Sequence, residues 1–173
     1  MCNSIGLRAV RDDARDLSTE LGHRLRSRRL TIATAESCTG GGIALAITSV
    51  SGSSEYFEGA VVAYSNTVKE RLLGVSVDTL TSVGVVSERC AREMAAGVRR
   101  AVGADVGVAS TGIAGPGGAT PRKPVGLVYI AVATPDGVAA RKLTLTGDRA
   151  AIMRDAADEA MRLAFETVGA LAP

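Results

Sequence analysis

The sequence predicts an α/β fold, a three-layer sandwich in which a mixed sheet carries helices on both faces. Three observations predict it. Stretches with apolar residues three and four apart alternate with short runs rich in Val, Ile and Ala. Gly, Ser or Asn marks most of the junctions between them. The last two short runs are joined by Pro135-Asp136-Gly137, a hairpin signal, so part of the sheet is antiparallel. At 173 residues the chain is expected to form one domain, 1–173, with residues 1–9 a loose lead-in. A chain of this length buries roughly 70% of the surface its unfolded form exposes.

The elements follow in order. Val10, Ala14, Leu17, Leu21 and Leu25 make one stripe of an amphipathic helix over Val10–Leu25. Arg24, Arg26, Arg28 and Arg29 gather at its C-terminal end, where cations complement the helix dipole. Ile32–Ala35 is a short strand. Glu36-Ser37-Cys38-Thr39 and three glycines follow it, and then Ile43, Leu45, Ala46, Ile47 and Val50 recur at helical spacing. This order reads strand, tight turn, helix, with Thr39 as the N-cap. After a turn at Ser51–Ser54, Tyr56–Ser65 reads as a second strand, largely buried along Val61-Val62-Ala63. Asn66 is the expected N-cap of a short helix that Gly74 ends. Within Val75–Val86, Leu80 and Val83 indicate one helical turn, broken by Gly84.

Ser87 caps a helix running to Val102, with Ala91, Met94, Ala95 and Val98 inward and Cys90 beside them as a small core residue. Asp105–Ser110 is a third strand. Thr111–Val125 is a long glycine-rich loop that lacks carboxylates but carries Arg122 and Lys123. Gly126–Thr134 and Val138–Thr146 form the hairpin. Gly147-Asp148-Arg149 leads into a last helix with Ile152, Ala156, Ala160, Leu163 and Ala164 inward. Ligands of such folds bind beyond the strand ends. The expected rim is the 36–42 turn, the Tyr64–Lys69 segment, the glycine-rich loop and Gly147–Arg149.

Composition excludes several functions. A net charge of +2, three Tyr, two Phe and no Trp offer little to attract or stack nucleic acid. Cys2, Cys38 and Cys90 have no metal-ligand spacing, so no metal site is expected. No run approaches the roughly 20 apolar residues of a membrane span, and no signal-peptide core is present, so a cytoplasmic protein without a membrane partner is expected.

His23 is the sole histidine, and it falls off the apolar stripe of the first helix. This removes most Ser-His, Cys-His and zinc readings. If Ser37 is a nucleophile, its base must be another group. Lys69 falls in the first turn of its helix, where the positive helix end disfavours a cation and biases it toward the neutral amine. Tyr64 ends the preceding strand and is placed to relay a proton. The opposing reading of Lys69 is a solvated surface residue. Cys38 is either a rival nucleophile or a small buried residue. Successive side chains at a strand end point opposite ways, so Ser37 and Cys38 are not expected to share one site. Gly40 and Gly41 permit close ligand approach, and amides near them are candidate oxyanion or phosphate donors. Glu36 either orients a base or substrate ribose or makes a structural hydrogen bond. Neither the phosphate-loop spacing nor G-x-G-x-x-G is present.

Three blocks carry a resemblance: A-E-S-C-T-G-G at 35–41, G-A-V-V-A-Y-S-N-T-V-K-E-R-L-L-G-V at 59–75, and S-T-G-I-A-G-P-G-G-A-T-P-R-K-P-V-G at 110–126. With T-G-D-R at 146–149, they resemble, in order, the CinA C-terminal domain family of nicotinamide-nucleotide amidases. The resemblance implies hydrolysis of the carboxamide of nicotinamide mononucleotide to nicotinate mononucleotide and ammonia, without a cofactor, by a homodimer. Its nucleophile matches Ser37, its lysine base Lys69, its tyrosine Tyr64, its loop hydroxyl Thr111 and its arginine Arg149. Glu36, Thr39, Gly40, Gly41, Asn66, Gly112 and Lys123 complete the expected substrate-contacting set around a pyridine nucleotide. Two departures stand out: Thr67 and Arg122 occupy positions where the family often has Glu. Neither is a matched catalytic position, so rate or specificity is more exposed to them than reaction type. Many relatives also carry an N-terminal domain resembling molybdopterin-binding proteins, for which this chain is too short. A non-catalytic nucleotide-binding module using the same pocket is the alternative function.

Overall fold

The computed structural model describes residues 12–172, with side chains from residue 17 onward. The expected lead-in at 1–9 and the expected helix start at Val10 lie outside the described residues. The elements are α1 (Asp12–Arg28), β1 (Ile32–Glu36), α2 (Gly42–Thr48), β2 (Phe57–Val62), α3 (Asn66–Leu73), α4 (Glu88–Val102), β3 (Val106–Gly112), β4 (Leu127–Thr134), β5 (Gly137–Thr144) and α5 (Arg149–Ala170). The strands form one sheet in the order β2-β1-β3-β4-β5. β1 runs parallel to β2 and β3, while β3–β4 and β4–β5 are antiparallel. The sheet is therefore mixed, as the hairpin signal requires.

Strand alternation gives the two sheet faces different characters. Ile32, Val106, Val108, Val128, Ile130 and Val132 meet Leu21 and Leu25 of α1, Ile43 and Ile47 of α2, and the inner face of α5. On the other face Ala33, Ala35, Ala109, Ala131 and Ala133 meet α4 and Leu73 of α3. That alanine surface lets α4 lie very close. A Cβ on Gly107 would stand 2.1 Å from the Ala95 carbonyl oxygen. Within the same layer, a Cβ on Gly97 would stand 1.9 Å from the Leu73 carbonyl oxygen, so α3 and α4 touch backbone to side-chain-free backbone.

Several boundaries differ from expectation. β2 is shorter than Tyr56–Ser65 and is not largely buried: it is an edge strand with alternating exposure, and Val62 is 48% exposed. Only one of its faces is covered. Ser65, not Asn66, caps α3; its Oγ accepts the Val68 N–H at 3.2 Å, and Asn66 is the first helical residue. Thr111 and Gly112 belong to β3, paired with Tyr129 and Val128, so the long loop begins at Ile113. β5 starts at Gly137 and ends at Thr144. The helical turn expected near Leu80 is a single π-turn, Thr79–Val83. No described helix is long and apolar enough to cross a membrane.

Candidate active site

The C-terminal ends of β1, β2 and β3 emerge on one edge of the sheet, together with the 113–126 loop and the start of α5. A cavity of about 230 Å³ opens there, lined by Ser37, Cys38, Tyr64, Lys69, Val85, Val86, Thr111, Arg149 and, from the glycine-rich segment, residues 112–115, 117 and 118. All four segments expected at the rim border it.

Ser37 follows β1 on the α3/α4 side of the sheet. Its N–H donates to the Ser110 carbonyl at 3.1 Å, and its own carbonyl accepts the Gly40 N–H at 3.2 Å, closing a tight turn. Lys69, in the first turn of α3, reaches it from below. Lys69 is 1% exposed. Its Nζ donates to Ser37 Oγ at 3.0 Å and to the Ala63 carbonyl at 2.5 Å. Burial lowers its pKa from the ordinary lysine value, while Cys90 and Cys38 pull weakly the other way. No carboxylate pairs with Lys69 among the described residues. The solvated-lysine reading therefore does not hold.

Cys38 turns to the opposite side, into the core formed with α2 and α5. Burial pushes its thiol up to about 11. A thiol so raised holds little thiolate at neutral pH. Its place in the structure is the small buried residue.

Tyr64 stands at the mouth, 63% exposed. Its hydroxyl accepts from Arg149 Nη2 at 3.1 Å, and Arg149 Nη1 donates to the Gly115 carbonyl at 2.7 Å. Arg149 is the first residue of α5, which Asp148 caps through the Ala151 N–H. Thr111 is buried, and its hydroxyl donates to the Val85 carbonyl at 2.7 Å. Gly112 lines the same wall.

Other expected contacts lie elsewhere. Thr39 is not the N-cap of α2; Gly41 occupies that position with φ 104°. Thr39 instead donates its hydroxyl to Glu36 Oε2 at 2.6 Å and lies 2.7 Å from Ser110 Oγ. Glu36 is fully buried and makes structural hydrogen bonds, one of the two readings held open for it. The Gly41 amide is bound to Glu36, and the Gly40 amide to Ser37, so neither is free for a ligand. Asn66 is exposed and lines no part of the cavity. Lys123 also stands outside the lining, and its Nζ donates to the Val83 carbonyl at 2.8 Å.

Sequence reasoning did not single out Ser110, Ala63 or Val85. Ser110 pairs in register with Glu36, so its signal was a strand-end hydroxyl beside a strand-end carboxylate. Ala63 and Val85 act through backbone carbonyls, which leave no trace in residue type. Among the described residues no group of three or more His, Cys, Asp or Glu is placed to hold a metal ion.

Chemically, the cavity joins a hydroxyl, a buried amine of lowered pKa and a guanidinium at the mouth, with no carboxylate in its lining. That set suits a serine nucleophile acting on an uncharged acyl group that carries an anion elsewhere.

Comparison with known proteins identifies the family. The CinA C-terminal domain model matches residues 14–168. A putative competence-damage inducible protein of Halothermothrix orenii is 51% identical over 148 residues, covering 85% of this chain and 36% of that protein. A CinA-like protein of Gloeothece citriformis is 51% identical over 72% of this chain and 30% of its own length. The chain thus spans about a third of the curated relatives it matches. Among solved structures, the competence/damage inducible protein CihA of Agrobacterium tumefaciens superposes with a TM-score of 0.90 at 35% identity, covering 94% of this chain and 99% of that one. A CinA superfamily protein of Enterobacter cloacae gives 0.87 at 30% identity, covering 97% and 98%. Matched over nearly its whole length in sequence and in fold, this chain belongs to the CinA C-terminal domain family.

Proposed function

We propose that residues 1–173 act as one amidase domain that hydrolyses the carboxamide of nicotinamide mononucleotide. The observation that carries this reading is the 3.0 Å approach to Ser37 Oγ of a buried Lys69 Nζ that no carboxylate pairs among the described residues. The substrate itself is supported by the family resemblance, which also supports a homodimer. As the neutral amine, Lys69 takes the hydroxyl proton while Ser37 Oγ forms a bond to the amide carbon. The carbonyl π pair moves onto oxygen. Collapse of this intermediate expels the amide nitrogen, which leaves as ammonia with the proton Lys69 returns. Water then attacks the acyl ester, giving up a proton to Lys69; as the acyl–oxygen bond breaks, Lys69 passes that proton to Ser37 Oγ, which frees the acid and restores the neutral amine. Arg149 binds the phosphate at the mouth, and Thr111 and Gly112 line the wall beside the pyridine ring.

Ammonia release from nicotinamide mononucleotide tests the reading. The wild-type chain is expected to release it, and Ser37→Ala to reduce the rate at least about 1,000-fold. Release that Ser37→Ala leaves unchanged overturns the mechanism. Tight nucleotide binding without turnover would instead favour a non-catalytic binding module.

A further inference from the structure

The turn that carries Ser37 is held by a carboxylate on the other side of the sheet. Glu36 ends β1, fully buried. Its Oε1 accepts the Thr34 hydroxyl at 3.1 Å and the Ala44 N–H at 2.8 Å. Its Oε2 accepts the Thr39 hydroxyl at 2.6 Å, the Gly41 N–H at 2.9 Å and the Ile43 N–H at 3.0 Å. Thr39 Oγ1 meets Ser110 Oγ, and the Ser110 carbonyl accepts the Ser37 N–H. One buried network therefore runs from α2 through Glu36 to β3 and back to the nucleophile's own backbone.

The network takes up most of the amides along this turn. Ser37 N–H goes to Ser110, Gly40 to Ser37, and Gly42 to Thr39. Gly41, Ile43 and Ala44 go to Glu36. From Ser37 to Ala44, only the Cys38 and Thr39 amides donate to no other residue among those described, the Cys38 amide facing its own thiol. Cys38 borders the cavity even though its thiol is packed in the core. The start of α2 is thus withdrawn from the site, and the residue after the nucleophile keeps an amide that no other residue binds.

We propose that Glu36 is the positioning residue of this site: by binding the amides of Gly41, Ile43 and Ala44 it sets the turn in the one arrangement that leaves the Cys38 amide, with that of Thr39 behind it, to hold the oxyanion formed when Ser37 attacks. The proposal rests on the amidase reading. Glu36 touches no substrate and acts through the turn. All five of its partners are donors, so the position needs a group that only accepts. A glutamine there would turn an NH₂ toward N–H groups, whereas an aspartate keeps both oxygens one carbon short.

The experiment compares wild type, Glu36→Gln, Glu36→Asp, Thr39→Val and Thr39→Ser in ammonia release, with KM and kcat measured separately. Misplacing an oxyanion donor is a transition-state loss. Glu36→Gln is expected to lower kcat roughly 100-fold with KM within about threefold. Glu36→Asp is expected to recover at least about tenfold of that loss. Should Glu36→Gln fail to fold, the Thr39 pair carries the test: Thr39→Val lowers kcat about tenfold with KM unchanged, and Thr39→Ser keeps it. A folded Glu36→Gln with wild-type kcat, a wild-type kcat in Thr39→Val, or a loss confined to KM overturns the proposal. If wild type releases no ammonia, the amidase reading alone fails. The same variants are then ranked by the rate at which phenylmethanesulfonyl fluoride modifies Ser37, read by mass spectrometry. An unreactive wild-type Ser37 in that assay overturns the proposal too.

Discussion

Lys69 Nζ and Ser37 Oγ stand 3.0 Å apart although 32 residues separate them in the chain. Two local facts bring them together. Ser37 continues the Ala33–Ala35 face of β1, the face that α3 and α4 cover. Lys69 falls one turn inside α3, directly after the edge strand beside β1. The amine is held there by the Ala63 carbonyl and by burial rather than by a counter-charge.

This placement predicts the pH dependence of turnover. Lys69 must be neutral to accept the Ser37 proton. Burial holds its pKa below the ordinary 10.5. As pH rises through the folded-state pKa, the neutral fraction grows, so kcat/KM is expected to climb with pH, with the midpoint of its rise below 10.5. A pH profile of kcat/KM checks this. A rising limb centred on the ordinary lysine value would mean that burial does not tune the base.

The same burial has a thermodynamic consequence with a defined sign. Between the lowered pKa of folded Lys69 and its unfolded value of 10.5, the unfolded chain binds more protons. Stability therefore rises with pH across that window, and the penalty is fullest below it. Lys69→Met keeps the length of the side chain and removes the amine. It leaves the Ala63 carbonyl without its partner, a loss of about 1 kcal/mol, but lifts the larger cost of desolvating a cation. The variant is expected to be inactive yet more stable at neutral pH by about 1 kcal/mol. For a chain of this size that is about 2–4 °C in Tm. The gain should shrink as pH approaches 10.5. Thermal melts at two pH values decide it, and a destabilised Lys69→Met at neutral pH contradicts the account.

Much of this architecture was legible from residue patterns. Apolar periodicity marks α4 and α5, and Pro135-Asp136-Gly137 marks the hairpin, because those signals are local. The rim also follows from local signals, since each of its segments is a strand end followed by Gly, Ser or Asn. What was not legible depends on partners far along the chain. Ser65 displaces Asn66 as cap by one residue, a difference set by where β2 leaves β1. Thr39 looks like an N-cap until Glu36 is seen to take that role with its own side chain. Gly97 reads as a mild flaw in a helix, yet it is where the Leu73 carbonyl presses in and draws α3, with Lys69, onto α4.

Cys38 offers a check on which nucleophile acts. The residue is 6% exposed, and burial pushes its thiol up to about 11. Iodoacetamide is expected to leave Cys38 unmodified in the folded protein and to alkylate it after denaturation. Cys38→Ser is expected to keep ammonia release within about fivefold of wild type, since a hydroxyl can keep the contact with the Ser110 side chain and the backbone amide stays. Rapid alkylation of native Cys38 with loss of activity would return the thiol to candidacy.

Arg149 joins the cavity wall to its mouth, one nitrogen on the Gly115 carbonyl and the other on the Tyr64 hydroxyl. As the first residue of α5, it adds a cation to the positive end of that helix, a combination that favours an anion nearby. If it binds the phosphate, its loss should separate two substrates that share the carboxamide. Arg149→Ala is expected to raise KM for nicotinamide mononucleotide about 10- to 100-fold, the worth of one charge-assisted hydrogen bond. KM for nicotinamide riboside, which lacks the phosphate, should move by less than about threefold. Any fall in kcat from releasing Tyr64 would touch both substrates alike. Steady-state kinetics on the pair separates the effects. Equal rises in both KM values would assign Arg149 to holding the 113–126 loop rather than to the phosphate.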